Sequence, residues 1–259
     1  REGTIASAIL VGFIVQIYQK QVQFLDKLLP REPSITVAPE PYLNSEHFVI
    51  TISRQYGSGG HAVGELIAKK LGIPFFDRKL IELTAIASGF TPEYVEEHEQ
   101  KLPNALLYRL YTQNYAYVNE VIPPNDLLFM IQTKVIRNIA ASEPCVLVGR
   151  AADYILKGHQ KSFNVFVHAE KEFQKERVIH DYLVQPNEAE LVMDRKDRER
   201  MNYSKYYTGR SWSDLNAYDL TVETSRFEID ATADMIIDAA QRSGVVPKDE
   251  SLRSHHVSF

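Results

Sequence analysis

The sequence predicts an α/β fold of three layers, a parallel sheet with helices on both faces, and three observations predict it. Short runs of β-branched and aromatic residues alternate with longer stretches of helical periodicity. A glycine-rich turn, Gly57-Ser58-Gly59-Gly60, joins the first such run to the first helical stretch. Polar residues suited to a site fall directly after strand runs, at Arg54–Gly60, Asp77 and Gly149-Arg150, where open parallel sheets hold their ligands.

Phe48–Ser53 is short and β-branched, and reads as the first strand. Val63, Leu66, Ile67 and Leu71 place a helix over His61–Leu71, and Ile73–Phe76 forms a second strand ending at Asp77. Helical spacing then covers 79–88, 92–100, 104–119 and 125–141. Cys145–Val148 is a buried strand ending at Gly149-Arg150, and Phe163–Val167 is another. Strongly charged helices follow over 170–183 and 187–205, then a last strand at 218–222 and a closing helix at Ile229–Arg242. These elements make one globular domain over 47–243, with a flexible tail at 244–259.

Ahead of the domain, residues 1–29 form an apolar helix and 30–46 a linker broken by Pro30, Pro33, Pro39 and Pro41. Gly3 to Gln19 carries no charge, and 17 residues is the low end of a membrane span. Lys20, Lys27 and Arg31 follow it and would leave the rest of the chain on the cytoplasmic face. Residues 3–29 are therefore a candidate membrane tether, the alternative being a helix packed on protein. The segment resembles the last membrane helix of the YitT/YczE-type bacterial membrane proteins, over about one helix.

A formal net charge of −5 argues against a general nucleic-acid binder. The single cysteine, Cys145, excludes an internal disulfide and a multi-cysteine zinc site, and its apolar surroundings predict a buried thiol.

A strand, a glycine-rich turn and a helix start together make an anion site, because main-chain N–H groups converge there and the helix terminus adds partial positive charge. The phosphate-loop pattern G-x-x-x-x-G-K-[ST] falls on Arg54–His61. Gly59 keeps the second glycine, whereas Arg54 replaces the first glycine, Gly60 the lysine, and His61 the hydroxyl residue. Gly57, Ser58, Gly59, Gly60 and His61 are the candidate phosphate-binding residues. A serine-nucleophile reading of Ser58 lacks any second hydrolase motif.

Six segments in order resemble the cytidylate kinases, and more closely a cytidylate kinase-like bacterial family, from about His47 to Gln241. They are Ile50–Gly60, Leu71–Asp77, Val148–Asp153, Val165–Ala169, the Asp194-x-x-Asp197-x-x-Arg200 run, and Tyr218–Ser225. The resemblance implies a P-loop nucleoside monophosphate kinase-like fold with a helical lid, transferring the γ-phosphoryl of ATP to a nucleoside monophosphate, CMP or dCMP above all. It implies that Arg54, Arg195 and Arg200 act on the transferring phosphates, and that Asp77, Arg150 and Asp153 hold the acceptor. Arg177, Asp194 and Asp197 would belong to the lid. Mg2+ would bridge ATP oxygens, with no residue assigned to it as a metal ligand.

Simpler roles exist for several of these residues. Asp77 has the look of a helix N-cap, Arg177 of a surface ion pair, and the charges over 190–200 of a solvated face. Tyr108, Tyr111, Tyr115 and Tyr117 suit a partly buried face as well as a stacking surface. The glycine at the lysine position leaves three outcomes open. Arg54 substitutes for the lysine, or the chain binds nucleotide without turnover as a regulatory module on a membrane protein, or the acceptor differs.

Overall fold

A computed structural model describes residues 42–98 and 124–248 of the chain. The expected helices at 1–29 and 104–119, the tyrosines of the latter, and residues 249–259 lie outside them. No helix among the described residues is long and apolar enough to cross a membrane.

Five parallel strands form the sheet: β1 (Val49–Arg54), β2 (Phe75–Phe76), β3 (Cys145–Val148), β4 (Ser162–His168) and β5 (Leu220–Glu223), in the order β2-β3-β1-β4-β5. The helices are α1 (Gly60–Leu71), α2 (Arg78–Ser88), α3 (Pro92–His98), α4 (Pro124–Ser142), α5 (Ala152–Ile155), α6 (Lys171–His180), α7 (Ala189–Thr208) and α8 (Ile229–Arg242), with a 3-10 turn at Leu215–Ala217. The chain leaves β1 toward β2 on one side and leaves β3 toward β4 on the other. A crevice therefore opens between the carboxyl ends of β1 and β3, where ligands bind in sheets of this kind.

Side-chain alternation along β1 accounts for the three layers. Ile50 and Ile52 pack with Val63 and Ile67 of α1, Val146 and Val148 of β3, and Ile236 of α8. Val49 packs to the opposite side, with Phe76, Leu80, Ile136, Leu147 and Ile155. The strands are buried on both faces, which is why they read as apolar runs rather than as alternating ones.

Two expectations at the domain edges need correction. Tyr42 is buried against the second cluster, so the expected linker already joins the core before residue 46. Val246 is also buried, and its N–H bonds Ala240 O at 3.1 Å, so the packed domain runs past the expected tail boundary at 244. Four-residue α5 was not foreseen. It follows a left-handed turn at Gly149, Arg150 and Ala151, with φ of 77°, 54° and 53°.

Candidate functional site

The turn after β1 begins as the chain leaves Arg54. Gln55 side-chain oxygen accepts from Ala169 N (3.2 Å) and Gln174 Nε2 (2.9 Å), which ties the turn to the end of β4 and to α6. Gly59 stands at the N-cap of α1 with φ 81°, a left-handed conformation that glycine adopts without steric cost, and no side chain caps the helix. The first-turn N–H groups of α1 thus meet the crevice with the helix's partial positive charge. The Ser58 side chain turns inward. The residue is fully buried, its hydroxyl donates to Gln55 O at 2.8 Å, and its carbonyl accepts from Thr224 Oγ1 at 2.5 Å. Its side chain braces the loop from inside and does not line the cleft.

Arg54 explains the altered loop. A Cβ on Gly60 would lie 2.6 Å from Arg54 Cβ and 3.0 Å from Cγ, and a Cβ on Gly149 would overlap Arg54 Nη1. The arginine stem therefore crosses the space where a side chain at the lysine position would start. Its guanidinium runs past Gly149 to within 3.6 Å of Asp77 Oδ1. The glycine at 60 leaves room for the arginine stem, whereas Gly149, at φ 77°, holds a conformation that favours glycine whatever its neighbours.

Asp77, between β2 and α2, is where the site's charges meet. Arg150 Nη1 donates to its Oδ1 at 3.1 Å, and its Oδ2 lies 2.7 Å from His61 Nδ1. Burial opposes the charge on Asp77, but the His61 hydrogen bond and the Arg54 and Arg150 guanidiniums outweigh it and hold the carboxyl well below the usual carboxylate range. The same hydrogen bond raises His61, partly offset by burial. Burial and Arg200 oppose the charge on Arg54, Asp77 supports it, and the guanidinium stays protonated. The N-cap role expected as the simpler alternative for Asp77 is absent, since its side chain caps no N–H of α2.

Helix α7 is fastened to the loop at two points. Asp197 Oδ1 accepts from Tyr56 N at 2.7 Å, and Arg200 Nη1 donates to Arg54 O at 3.0 Å while its guanidinium lies over the Tyr56 ring. These contacts close one cleft of about 520 Å3. Arg54, Gly57, Gly59, Gly60, His61, Asp77, Arg150 and Arg200 all line it.

The other predicted residues lie elsewhere. Arg195 and Asp194 are exposed and do not line the cleft, although the Arg195 charge reaches Tyr56, and Asp194 comes only within 4.0 Å of Lys171. Lys196 lines the cleft instead. Asp153 faces a small cavity behind Arg150, where Arg210 Nη2 binds it at 2.7 Å. Arg177 pairs with Asp181 at 2.9 Å, as in the simpler expectation, yet its guanidinium also flanks Gly59 and its buried Nε finds no hydrogen-bond partner among the described residues. Tyr56, Tyr182, Glu96, Glu97 and Glu199 line the cleft without having been anticipated. Helical register could have found Lys196. If Arg200 faces inward, Lys196 at i−4 shares its face and Arg195 at i−5 does not.

Among the described residues no group of three or more His, Cys, Asp or Glu side chains is arranged to hold a metal ion. His61 stands where a loop hydroxyl would meet magnesium, and Asp77 is engaged by Arg54, Arg150 and the His61 ring. This donor set does not suit direct magnesium ligation, which calls for free oxygen ligands.

The family model described as the cytidylate kinase-like family matches residues 49–226. Among solved structures, an uncharacterized protein from Eubacterium ventriosum is 24% identical with a TM-score of 0.57, covering 75% of this chain and 99% of that one. A shikimate kinase from Acinetobacter baumannii in complex with shikimate is 16% identical with a TM-score of 0.44, covering 77% and 96%. An APS kinase from Mycobacterium tuberculosis in complex with AMPPNP and APS is 16% identical with a TM-score of 0.41, covering 76% and 99%. No curated protein matches the chain.

Proposed function

The chain belongs to the cytidylate kinase-like family, and from that premise we propose that it is an ATP-dependent phosphotransferase. It would move the γ-phosphoryl group to a nucleoside monophosphate such as CMP or dCMP, or to a related small anionic acceptor. The observation that carries this reading is the meeting of the uncapped α1 terminus with Arg54, Arg150 and Arg200 around one cleft. Phosphoryl transfer asks for positioned positive charge more than for a strong base, and forked guanidiniums suit phosphate oxygens.

Each group has a part in this reading. The N–H groups at the start of α1 bind the triphosphate. Arg200 and Lys196, on the helix that covers the loop, neutralise charge on the transferring group. Arg150 receives the acceptor's anionic group at the end of β3. Arg54 replaces the missing lysine as a charge at the cleft floor, approaching from β1 instead of from the helix. Magnesium would supply charge neutralisation as a counter-ion of ATP, without a ligand from the described residues.

The test is ADP release with Mg2+, ATP and each of CMP, dCMP, UMP, AMP and small hydroxylated anions. Turnover with at least one acceptor is expected, and none across the whole panel overturns the reading. One observation favours a second reading, a nucleotide-binding regulatory module: Arg54 is directed at Asp77, and the lysine position holds no cation. Calorimetric ATP binding with no transfer and no hydrolysis would support that module.

A further inference from the structure

We propose that His61 and Asp77 form a proton-accepting dyad in this cleft, and that the acceptor therefore offers a hydroxyl group as its nucleophile. The inference rests on the phosphotransferase reading above and narrows its acceptor class.

The geometry is that of a base held by a carboxylate. Asp77 Oδ2 lies 2.7 Å from His61 Nδ1, while Oδ1 is bound by Arg150 at 3.1 Å with Arg54 at 3.6 Å. A carboxylate held by two guanidiniums stays ionised and only accepts hydrogen bonds, so Nδ1 carries the hydrogen of the neutral ring and Nε2 holds the lone pair. The His61 ring makes no hydrogen bond among the described residues other than that to Asp77, and the side chain is 48% exposed on the cleft wall. Phe75 packs edge-on at 5.2 Å and fixes the ring plane. One side of the imidazole is tied and oriented while the basic side is open, the arrangement that activates an O–H nucleophile.

A purely structural role explains less. Two arginines already neutralise Asp77, so it does not need His61 as a counter-charge. The acceptor chemistry follows from what a base is for. A phosphate monoester has its second pKa near about 6 and is largely ionised at neutral pH, so it attacks without help. A hydroxyl keeps its proton until the transfer occurs. In the step proposed, the acceptor O–H bond breaks and its proton passes to His61 Nε2. The oxygen bonds to the γ-phosphorus, the bond from phosphorus to the β,γ-bridging oxygen breaks, and ADP leaves with that electron pair. His61 then returns the proton to solvent. The acceptor is an anionic alcohol, its charge on Arg150 and its hydroxyl toward His61.

Water is also a hydroxyl nucleophile, so the test does not require the acceptor's identity. Radiolabelled γ-phosphoryl of ATP is followed into water, into nucleoside monophosphates, and into phosphorylated and carboxylated alcohols. The proteins are the wild type, His61→Asn and His61→Gln. Asparagine keeps a donor where Nδ1–H stood and removes Nε2; glutamine serves if the first variant fails to fold. The charged groups around His61 are Asp77, Arg54 at the end of β1 and Glu65 on α1, with Arg78, Glu96, Glu97, Arg150, Lys196, Glu199 and Arg200 lining the same cleft.

Expected are transfer to alcohols, a wild-type rate that rises with pH as His61 loses its proton, and about a 100-fold or greater fall in kcat in the variants. The rising limb should disappear while the Kd for ATP stays within about twofold, a pattern that loss of a structural contact would not give. Transfer to nucleoside monophosphates alone, or turnover unchanged in the variants, overturns the dyad and leaves the phosphotransferase standing. Failure of the wild type to bind ATP, or to pass phosphoryl to any acceptor or to water, removes the phosphotransferase reading and the dyad with it.

Discussion

Substituting Gly60 tests whether Arg54 and the lysine position compete for one space. In Gly60→Ala the new Cβ would sit 2.6 Å from Arg54 Cβ, 3.0 Å from Arg54 Cγ and 3.4 Å from Val167 Cβ. The first of these contacts is to the rigid start of a side chain on a central strand, so rotamer change cannot relieve it. Overpacking of this kind costs about 1–3 kcal/mol. The gain from replacing glycine at a helix start offsets at most about 1 kcal/mol of it. A net loss of about 1–2 kcal/mol lowers the melting temperature by roughly 3–6 °C for a domain of this size.

The diagnostic part is the coupling to position 54. Arg54→Gly removes both close atoms, so Gly60→Ala on that background should cost about 1–2 kcal/mol less than in the wild type. Arg54→Ala removes Cγ but keeps Cβ, and should relieve only a minor part. Thermal and urea unfolding of the single and double variants gives the coupling directly. If Gly60→Ala is equally costly on all three backgrounds, the steric account of the altered phosphate loop is wrong.

Four further outcomes are expected. Asp77→Asn leaves Arg54, Arg150 and His61 without their shared anion and should destabilise the domain by about 3–5 kcal/mol in urea unfolding, with the His61 imidazole titrating lower by NMR. Asp77 is depressed when folded, so the stability it contributes is full above the unfolded value near about 3.9 and is lost as pH falls through its lower folded value. His61 is raised, so its contribution is full below about pH 6.5 and lost as pH rises through its folded value; melting curves should decline at both ends, and His61→Asn should abolish the decline on the alkaline side. Lys196→Ala should weaken ATP binding or turnover measurably while Arg195→Ala leaves both unchanged, because only the former lines the cleft. Asp197→Ala should speed hydrogen exchange at Tyr56 N, its partner at 2.7 Å, and weaken nucleotide binding by loosening α7 from the loop.

The fold was legible where it depends on local pattern. Cys145–Val148 and Ile229–Arg242 have the bounds that periodicity assigns, since an apolar run buried on both faces and a helix with one apolar stripe each carry their own signal. Short α5 was not legible, because the strained turn at Arg150 and Ala151 that launches it is held by packing and not by glycine alone. At the site, the glycine turn, Asp77, Arg150 and Arg200 could be named from strand ends and motif order. Ser58 could not be placed, because burial of a loop serine depends on Thr224, 166 residues away in sequence. Arg195 was named from the family resemblance, where register with Arg200 points to Lys196.

The position that looked most damaged in the sequence is the one with the clearest physical account. An arginine in place of the first loop glycine and a glycine in place of the lysine appear as two separate losses when read along the chain. In three dimensions they are a single exchange, since Arg54 occupies the volume that a side chain at 60 would need. The exchange moves positive charge from the terminus of α1 to the floor beside Asp77. There it helps keep the carboxylate ionised, and an ionised carboxylate is what holds His61 in place. Loss of the lysine and gain of an oriented histidine are thus linked through one residue. Variants at Arg54 should disturb His61 titration as well as ATP binding.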